Sequence, residues 1–387
     1  MVKAIKAMLI PNNVQKTKMF QYAGASRFAY NWALAREIKN YEKGGGFITD
    51  AELRKEFTKL RHSDEYAWLL NISNNVTKQA IKDACTAYKN FFRGLQKFPR
   101  FKSKKRSMPK FYQDNVKIQF SNTHVKFEGF SSSRKANKQK MNWVRLAEHG
   151  RIPTDVKYMN PRISFDGLNW WISVCVEFPD CRETLNDDGV GIDLGIKDLA
   201  VCSDGTKYKN INKSQKVKKL EKQKRRLQRS ISRSYEKNKK GESYCKTNNV
   251  IKKEKLLLKR NHRLTNIRKN YLNQTISEIV DRKPRFICIE DLNVSGMMKN
   301  RHLSKAVQEQ GFFWFRKQLE YRCSDKGIQL IVADRFYPSS KLCSCCGNIK
   351  KDLKLSDRIY KCDCGNVIDR DFQASINLKA YGERVAS

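Results

Sequence analysis

Carboxylates in unusual positions of this sequence are the first candidates for chemistry. Asp193 interrupts one apolar run, Glu290 ends another, and Asp369 and Asp371 lie where the last helical pattern begins. A carboxylate in an apolar strand is costly to bury unless a partner or a metal ion balances its charge. Two-metal phosphodiester cleavage needs converging carboxylates that hold two Mg²⁺ ions about 4 Å apart. The sequence therefore predicts a magnesium-dependent hydrolytic site, although each acid taken alone could be a hydrogen-bonded structural residue.

Cysteines clustered near the carboxyl end form a second candidate site. Cys343-x-x-Cys346-Gly has the spacing of a zinc knuckle, and Cys362 and Cys364 supply a second pair separated by one residue. Four thiolates at a tetrahedral Zn²⁺ leave no open position for water, so such a site would be structural. Cys345 is an alternative ligand, and loss of metal binding is a further alternative. A disulfide is disfavoured, because 12 cysteines without a recognisable secretory signal indicate a reducing cytoplasm.

The charge balance points to a polyanionic partner. Lys and Arg number 79 against 39 Asp and Glu, which gives a formal net charge of +40. Such an excess is typical of proteins that bind nucleic acids. A membrane surface is the competing interpretation, but no apolar run approaches the roughly 20 residues of a membrane-spanning helix. The sequence therefore favours a cytoplasmic protein that binds nucleic acid and has no membrane partner.

The order of elements after residue 186 predicts how the acids are positioned. Hydrophobic patterns indicate three strands, a helical region, a strand, a helix, a strand and a final helix. This is the order of an RNase H-like fold, in which acids lie in the first strand, at the end of the fourth strand and on the last helix. Asp193 and Glu290 match the first two places. Asp198, Asp204 and Asp291 are better explained by turns and strand ends.

Two very basic helices, at about 213–235 and 249–283, are predicted within this half of the chain. Their like charges would oppose helix formation unless a polyanion screens them, and the groove around an RNA–DNA heteroduplex would provide one. Tyr30, Trp32 and Tyr112 are candidates for stacking on bases, although Trp32 suits a hydrophobic core equally well.

The first half of the chain has a different pattern. Residues 2–10 alternate in the manner of a strand, helical spacing follows, and a period of two returns between about 115 and 185. This arrangement predicts a small β-barrel that a helical segment interrupts.

Several motifs closely resemble the TnpB (OrfB) proteins of bacterial insertion sequences, which are RNA-guided nucleases related to compact type V CRISPR effectors. The motifs are VGIDLGIKDLAVCSDG, ICIEDLNVSGMMKN, RFYPSSKLCSCCG and CGNVIDRDFQASINL, with ASRFAYNWAL and FPRFKSKKR in the first half. The resemblance implies a wedge β-barrel split by a helical recognition lobe, and an RNase H-like RuvC nuclease domain with a zinc-ribbon-like insert. The implied segments are 1–10 and 115–185 for the barrel, 11–114 for the lobe, 186–338 and 367–387 for the nuclease domain, and 339–366 for the insert.

The resemblance also assigns site residues. Asp193, Glu290 and Asp371 correspond to the three RuvC acids, which hold two catalytic Mg²⁺ ions, and Asp371 is chosen because the family uses the second acid of its Asp-Arg-Asp element. Asp369 should then be dispensable for cleavage chemistry. Gln373 and Ser375 depart from the Asn and Ala usual in the family. The second cysteine pair has a gap of one residue, where the family more often has two.

The implied partners are a guide RNA and double-stranded target DNA with a short flanking motif, and a monomer is favoured. The implied function is RNA-guided DNA cleavage by a transposon-encoded enzyme. A compact CRISPR-associated effector would use the same chemistry and is the first alternative. A guide-directed repressor without cleavage and an unguided transposase are the others, and the presence of all three acids disfavours the repressor.

Overall fold

A computed structural model of the chain describes residues 1–130, 141–179, 183–354 and 357–386. The chain divides into two compact units, Met1–Pro179 and Asp180–Ser387. The junction between the two units, at residues 180–182, lies outside the described residues. Beyond it, Leu185 already packs against the core of the second unit.

In the part of the first unit that the structure describes, an antiparallel sheet is combined with α-helices. Its strands are β1 (Val2–Ile10), β2 (Lys110–Tyr112), β3 (Gln119–Phe120), β4 (His124–Lys126), β5 (Trp143–Leu146), β6 (Tyr158–Phe165) and β7 (Trp170–Glu177). They follow the order β2-β6-β7-β1-β5-β4-β3. The helices that lie between β1 and β2 in the sequence are α1 (Asn13–Glu42), α2 (Asp50–Arg61) and α3 (Asn74–Phe92). The chain therefore leaves the sheet after its first strand and returns to it after the helices.

Alternation and capping explain these elements. Every second side chain of β7, from Trp170 to Val176, is buried, so one face of the sheet packs on the core. Asn12 accepts a hydrogen bond from the Gln15 amide, and the Gln15 side chain accepts one from the Asn12 amide, which forms a capping box at the start of α1. Among the described residues no pairing joins the outer strands β2 and β3, so closure of this sheet into a barrel stays a prediction.

The second unit contains a mixed five-stranded sheet. Its strands are β8 (Val190–Leu194), β9 (Asp198–Cys202), β10 (Lys207–Lys209), β13 (Phe286–Ile289) and β14 (Gln329–Val332), in the order β10-β9-β8-β13-β14. β8, β13 and β14 are parallel, whereas β9 and β10 run antiparallel to their neighbours. Two small hairpins, β11–β12 (Lys239–Lys240, Ser243–Tyr244) and β15–β16 (Ile359–Lys361, Val367–Asp369), stand apart from this sheet.

Helices pack on and around this sheet. They are α4 (Gln215–Lys237), α5 (Asn248–Val280), α6 (Val294–Lys299), α7 (Ser304–Gln310), α8 (Phe312–Lys326) and α9 (Arg370–Ala386). The two basic helices predicted from the sequence correspond to α4 and α5. Gly311 separates α7 from α8, because its φ of 72° lies in the left-handed region that ends a helix. The whole chain thus has a mixed α/β fold, and within the described part no helix is long and apolar enough to cross a membrane.

Candidate active site and cysteine cluster

Two of the predicted acids lie side by side at one edge of the sheet. Ile192 of β8 pairs with Ile289 of β13 in a parallel ladder, so the next residues, Asp193 and Glu290, lie beside each other. The two carboxyl groups are close enough for Glu290 to raise the pKa of Asp193. Two carboxylates in such positions repel each other unless a cation or a proton balances their charge.

Gly191 brings the last helix onto the same strand. A Cβ atom at Gly191 would lie 2.1 Å from the Ser375 carbonyl oxygen and 2.3 Å from the Lys379 amide nitrogen, so only glycine allows α9 to lie this close. Alternate residues of a strand face the same side, so Asp193 faces the side on which α9 packs. Asp371 lies in the first turn of α9, one turn before Ser375. The sheet and the helix therefore bring Asp371 towards the other two acids.

Negative charge accumulates around Asp193. Burial raises the pKa of Asp193 well above its usual 3.8, and the neighbouring Glu290 and the charge of Asp371 raise it further, while Arg370 opposes them. Among the described residues, the three carboxylates are not gathered within 4.8 Å of one another, as the cysteines described below are. The negative charge that raises the pKa of Asp193 would also attract a cation. Carboxylate oxygens are the ligands that a hard divalent cation such as Mg²⁺ prefers.

Asp369 has a different position from Asp371. Its carboxylate accepts hydrogen bonds from the backbone amides of Asp371 and Phe372, both at 3.1 Å, and lies 3.3 Å from the Lys207 ammonium. Although burial acts to raise the pKa of Asp369, these contacts lower it. Asp369 is therefore the N-terminal cap of α9, and it orients the turn that carries Asp371.

Asp291 was assigned to a strand end in the sequence, and its contacts went unforeseen. It accepts a hydrogen bond from Arg316 at 2.8 Å and another from Arg335. These two bonds lower the pKa of Asp291. Its position directly after Glu290, at the end of a buried strand, was the only available signal, because the two arginines lie far along the chain.

The four predicted zinc ligands form one cluster. The sulfur atoms of Cys343, Cys346, Cys362 and Cys364 all lie within 4.8 Å of one another. Cys343 Sγ is 3.6 Å from Cys364 Sγ, and Cys346 Sγ is 3.6 Å from Cys362 Sγ. Four sulfurs at the usual 2.3 Å from a tetrahedral Zn²⁺ would lie about 3.8 Å apart, so the cluster is compatible with structural zinc. Cys345 is exposed and lies outside it.

Backbone turns explain how Cys362 and Cys364, which are separated by only one residue, join the cysteine cluster. The Cys343 amide donates to the Asn348 carbonyl and the Cys362 amide to the Asn366 carbonyl, which closes two similar loops. Burial alone would raise the pKa of Cys343, but hydrogen bonds from the Cys346 backbone and the Asn366 side chain lower it to about 6. A thiolate is the form that binds a metal. The hairpin β15–β16 extends this region to residue 369, three residues beyond the insert boundary expected at 366.

Gln373 connects the cysteine cluster to the last helix. Its side chain is fully buried, donates to the Leu342 carbonyl at 2.6 Å and accepts from the Ser344 hydroxyl at 3.0 Å. It also accepts from Asn366 at 3.3 Å, and Asn366 donates to the Cys343 sulfur at 3.4 Å. The departure from the family's Asn at this position thus has a structural role.

The aromatic candidates for base stacking differ in exposure. Tyr30 is only 6% exposed, with the Lys102 ammonium over its ring, so its face is not open to a base. Trp32 packs against Phe57 beside the core of the first unit, which agrees with the alternative prediction that Trp32 belongs to a hydrophobic core. Tyr112 is half-buried, and the Arg162 guanidinium lies 5.5 Å from its ring centre.

A basic groove lies along α4. It has a volume of about 590 Å³, and its walls include Lys218, Lys222, Arg225, Arg226, Arg229 and Lys305, together with Glu221 and Glu309. Both glutamates form ion pairs with Arg268 at 3.2 Å. The two acids of the groove are therefore paired with Arg268, and the lysines and arginines give the groove a net positive charge.

Comparison with known proteins gives three family matches. A "Helix-turn-helix domain" model of the OrfB_IS605 group matches residues 1–46, and its "Probable transposase" model matches residues 173–301. The "Cas12f1-like, TNB domain" model matches residues 312–378, which contain the cysteine cluster. Together they cover parts of both units.

Whole-chain relatives agree with these matches. A protein of Escherichia coli named "Putative RNA-guided DNA endonuclease InsQ" is 30% identical, and the alignment covers 99% of this chain and 93% of that protein. A "Putative RNA-guided DNA endonuclease" of Streptomyces pristinaespiralis is 29% identical over 98% of this chain and 89% of its own length.

A solved structure shares the fold. The structure described as the Cas12f1-sgRNA-target DNA complex superposes with a TM-score of 0.60 at 14% identity, covering 93% of this chain and 81% of that chain. At this identity the likeness concerns the fold alone. The sequence matches carry the assignment further: this chain belongs to the TnpB (OrfB) family of insertion-sequence proteins.

Proposed function

We propose that this protein is an RNA-guided DNA endonuclease that hydrolyses phosphodiester bonds at Asp193, Glu290 and Asp371. The observation that carries the proposal is the adjacency of Asp193 and Glu290 at the ends of two parallel strands, with Asp371 in the first turn of the helix α9 that packs against β8. The names of the two whole-chain relatives support RNA guidance and DNA as the substrate.

The three acids would hold two Mg²⁺ ions. When bound, these ions would stabilise charge on the attacking and leaving oxygens of the phosphodiester. Asp193 and Glu290 supply oxygen ligands from rigid strands, so their separation is fixed before substrate arrives. Asp369 caps the first turn of α9 and thereby orients Asp371, which approaches the two strand acids from the helix that packs on the sheet. In the absence of the ions, the raised pKa of Asp193 favours its protonated form, which relieves its repulsion with the neighbouring carboxylates.

The nuclease unit is proposed to have an RNase H-like, RuvC-type fold. The strand order β10-β9-β8-β13-β14, with β9 antiparallel to β8, supports this assignment. The sheet of the first unit is proposed as the wedge barrel and α1–α3 as the recognition lobe. Residues 339–366 with the hairpin β15–β16 form the proposed zinc ribbon, in which Cys343, Cys346, Cys362 and Cys364 bind one Zn²⁺.

Guide RNA and double-stranded target DNA with a short flanking motif are the proposed partners. The basic groove along α4 is suited to the phosphates of a heteroduplex, because a nucleic-acid backbone is recognised mainly by clustered Lys and Arg. A compact CRISPR-associated effector remains the alternative setting for the same chemistry, and the fold likeness to the Cas12f1 complex gives it secondary support.

The test of the function uses the chain purified with its copurifying RNA, which is sequenced to define the guide. Cleavage of a matching plasmid should require both the RNA and Mg²⁺, and Asp193→Ala should abolish it. Asp188→Ala is the matched control, because Asp188 lies on the same approach to β8 but its side chain is 90% exposed. Equal cleavage by the wild type and Asp193→Ala would refute the assignment of the site.

Zinc binding has a separate test. Metal analysis should give one zinc per chain for the wild type and for Cys345→Ser, and a loss of zinc for Cys364→Ser. A chain that keeps its zinc after Cys364→Ser would show that the short second pair does not supply the ligand proposed here.

A further inference from the structure

A small cavity opens beside the proposed active site. Its volume is about 220 Å³, and it is lined by Leu194, Ile289, Glu290, Leu292, Asn293, Val294, Ser295, Phe312, Phe313, Arg316 and Arg335. Leu194 follows Asp193 in β8, and Ile289 precedes Glu290. The cavity therefore adjoins the carboxylates, and Glu290 belongs to both.

Six of the eleven residues that line this cavity are apolar, and two of these six are phenylalanines. Phe312 is buried and forms part of the core of the unit, whereas the neighbouring Phe313 is 65% exposed in the first turn of α8. Core packing does not account for a large aromatic side chain in that position. The volume is below the roughly 300–1,000 Å³ of cavities that hold drug-sized ligands, so the space suits one planar ring system and excludes a duplex.

Two arginines at the rim of the cavity are held in place by carboxylates. Asp291 accepts from both Arg316 and Arg335, and Arg316 is further bound by Glu320 at 3.1 Å. Arg335 has a half-exposed side chain. A guanidinium has five N–H donors, so Arg335 can contact a phosphate while Asp291 holds its other side. Arg316 has two carboxylate partners that already balance its charge, so it has a supporting role.

We propose that this cavity holds the unpaired base of the nucleotide next to the scissile phosphate in the DNA strand being cut. The base stacks on Phe313, and Arg335 contacts a neighbouring phosphate. Aromatic stacking and a basic rim are the means by which proteins bind single strands irrespective of sequence. This assignment rests on the proposed nuclease function, which it extends to the recognition of the substrate strand.

The polar groups at the cavity favour acceptance of any base. The Asn293 side-chain oxygen accepts hydrogen bonds from the Gly296 amide at 2.9 Å and from the Ser295 hydroxyl at 3.2 Å, so it already caps α6. Base-edge readout needs side-chain groups directed at the base. The cavity therefore fixes the position of the strand, which aligns the adjacent phosphate with the carboxylates.

The experiment assembles the full chain with guide RNA and target DNA without Mg²⁺, then starts a single turnover by adding Mg²⁺. Abasic analogues replace, one at a time, the nucleotides around the cut in each strand. At one position beside the cut, the abasic analogue should slow wild-type cleavage by at least about fivefold, the low end of what base–aromatic stacking provides. Phe313→Ala should slow cleavage of intact DNA by a similar factor.

Combining the abasic analogue with Phe313→Ala tests whether the base and the ring contact each other. If the base stacks on Phe313, the abasic analogue should slow Phe313→Ala by less than about twofold further, because the interaction is already lost. Phe313→Trp should restore most of the rate, and Arg335→Ala should slow cleavage at every target sequence. Phe336→Ala is the matched control: Phe336 is 87% exposed and follows Arg335, but does not line the cavity.

Two other outcomes would overturn the proposal. Independent, multiplied effects of the abasic site and Phe313→Ala would show that the base does not contact this ring, as would equal losses in Phe313→Ala and Phe336→Ala. In both cases the wild type still cuts and Asp193→Ala does not, so the nuclease assignment stands. A chain in which Asp193→Ala cuts normally would remove the nuclease assignment and the cavity's role together.

Discussion

The two acids of the Asp-Arg-Asp element should respond differently to the same substitution. Asp369 caps α9 through two backbone amides and forms a partly exposed ion pair with Lys207. Asn is as good an N-terminal cap as Asp, so Asp369→Asn should keep the helix start and retain near-normal cleavage. Asp371→Asn should abolish cleavage, because a neutral amide cannot balance the charge of the metal ions.

The magnitude follows from the contacts that Asp369→Ala removes. Loss of an N-terminal cap costs about 1 kcal/mol, and the exposed pair with Lys207 adds between 0 and about 1 kcal/mol. A domain with a stability of about 5–15 kcal/mol stays folded after such a loss. The first turn of α9 then frays, and the displacement of Asp371 should lower the cleavage rate by about 10- to 100-fold, as loss of outer contacts does at other metal sites.

Single-turnover cleavage and urea unfolding of the four variants provide the assay: Asp369→Asn, Asp369→Ala, Asp371→Asn and Asp371→Ala. Reduced stability in Asp369→Ala, together with recovery of both stability and rate in Asp369→Asn, would agree with a capping role. A loss of cleavage in Asp369→Asn as large as that in Asp371→Asn, in a folded chain, would refute it and make Asp369 a metal ligand.

Three further predictions concern Gln373, Asp193 and two glycines. Gln373→Leu should retain zinc but cost about 1–3 kcal/mol, because it leaves buried partners unpaired, and hydrogen exchange should show faster opening of amides 371–375. In magnesium-free buffer, stability should fall as the pH rises from 3.8 through the raised pKa of Asp193, and urea unfolding of Asp193→Asn should lack this loss. Gly191→Ala should displace α9 and cost several kcal/mol in thermal unfolding, whereas Gly24→Ala, with nothing within 4 Å of the added methyl in α1, should gain about 0.5–1 kcal/mol.

Part of the site could be predicted because it depends on strand periodicity. Asp193 and Glu290 each end or interrupt a short apolar run, and parallel strands place such residues at the same edge of a sheet. The break at Gly311 could not be foreseen in the same way, because apolar spacing continues on both sides of it. Tyr30 was misjudged as a stacking residue for a related reason, since the pattern does not show that Lys102 covers its ring.

The remaining features depend on contacts between distant segments. The sequence predicts Cys364 as a zinc ligand despite the gap of one residue, and loop closure through the backbone explains how its sulfur joins the cluster. Asp291 and Gln373 gain their roles from Arg335 and Ser344, which lie far away in sequence, and no local pattern reveals such pairs. Strand periodicity therefore predicted the adjacent positions of Asp193 and Glu290, whereas side-chain contacts between distant segments could not be read from the sequence.

The close contact of α9 with β8 has a consequence for biosynthesis. Gly191 and its helix partners Ser375 and Lys379 are almost as far apart in sequence as the second unit allows. Contacts of such long range form late, because closing the intervening loop is entropically costly. During translation, β8 and β13 emerge well before the helix that covers them. The proposed site thus lacks its third acid until the last segment is made, so a nascent or prematurely terminated chain would be unable to cut DNA.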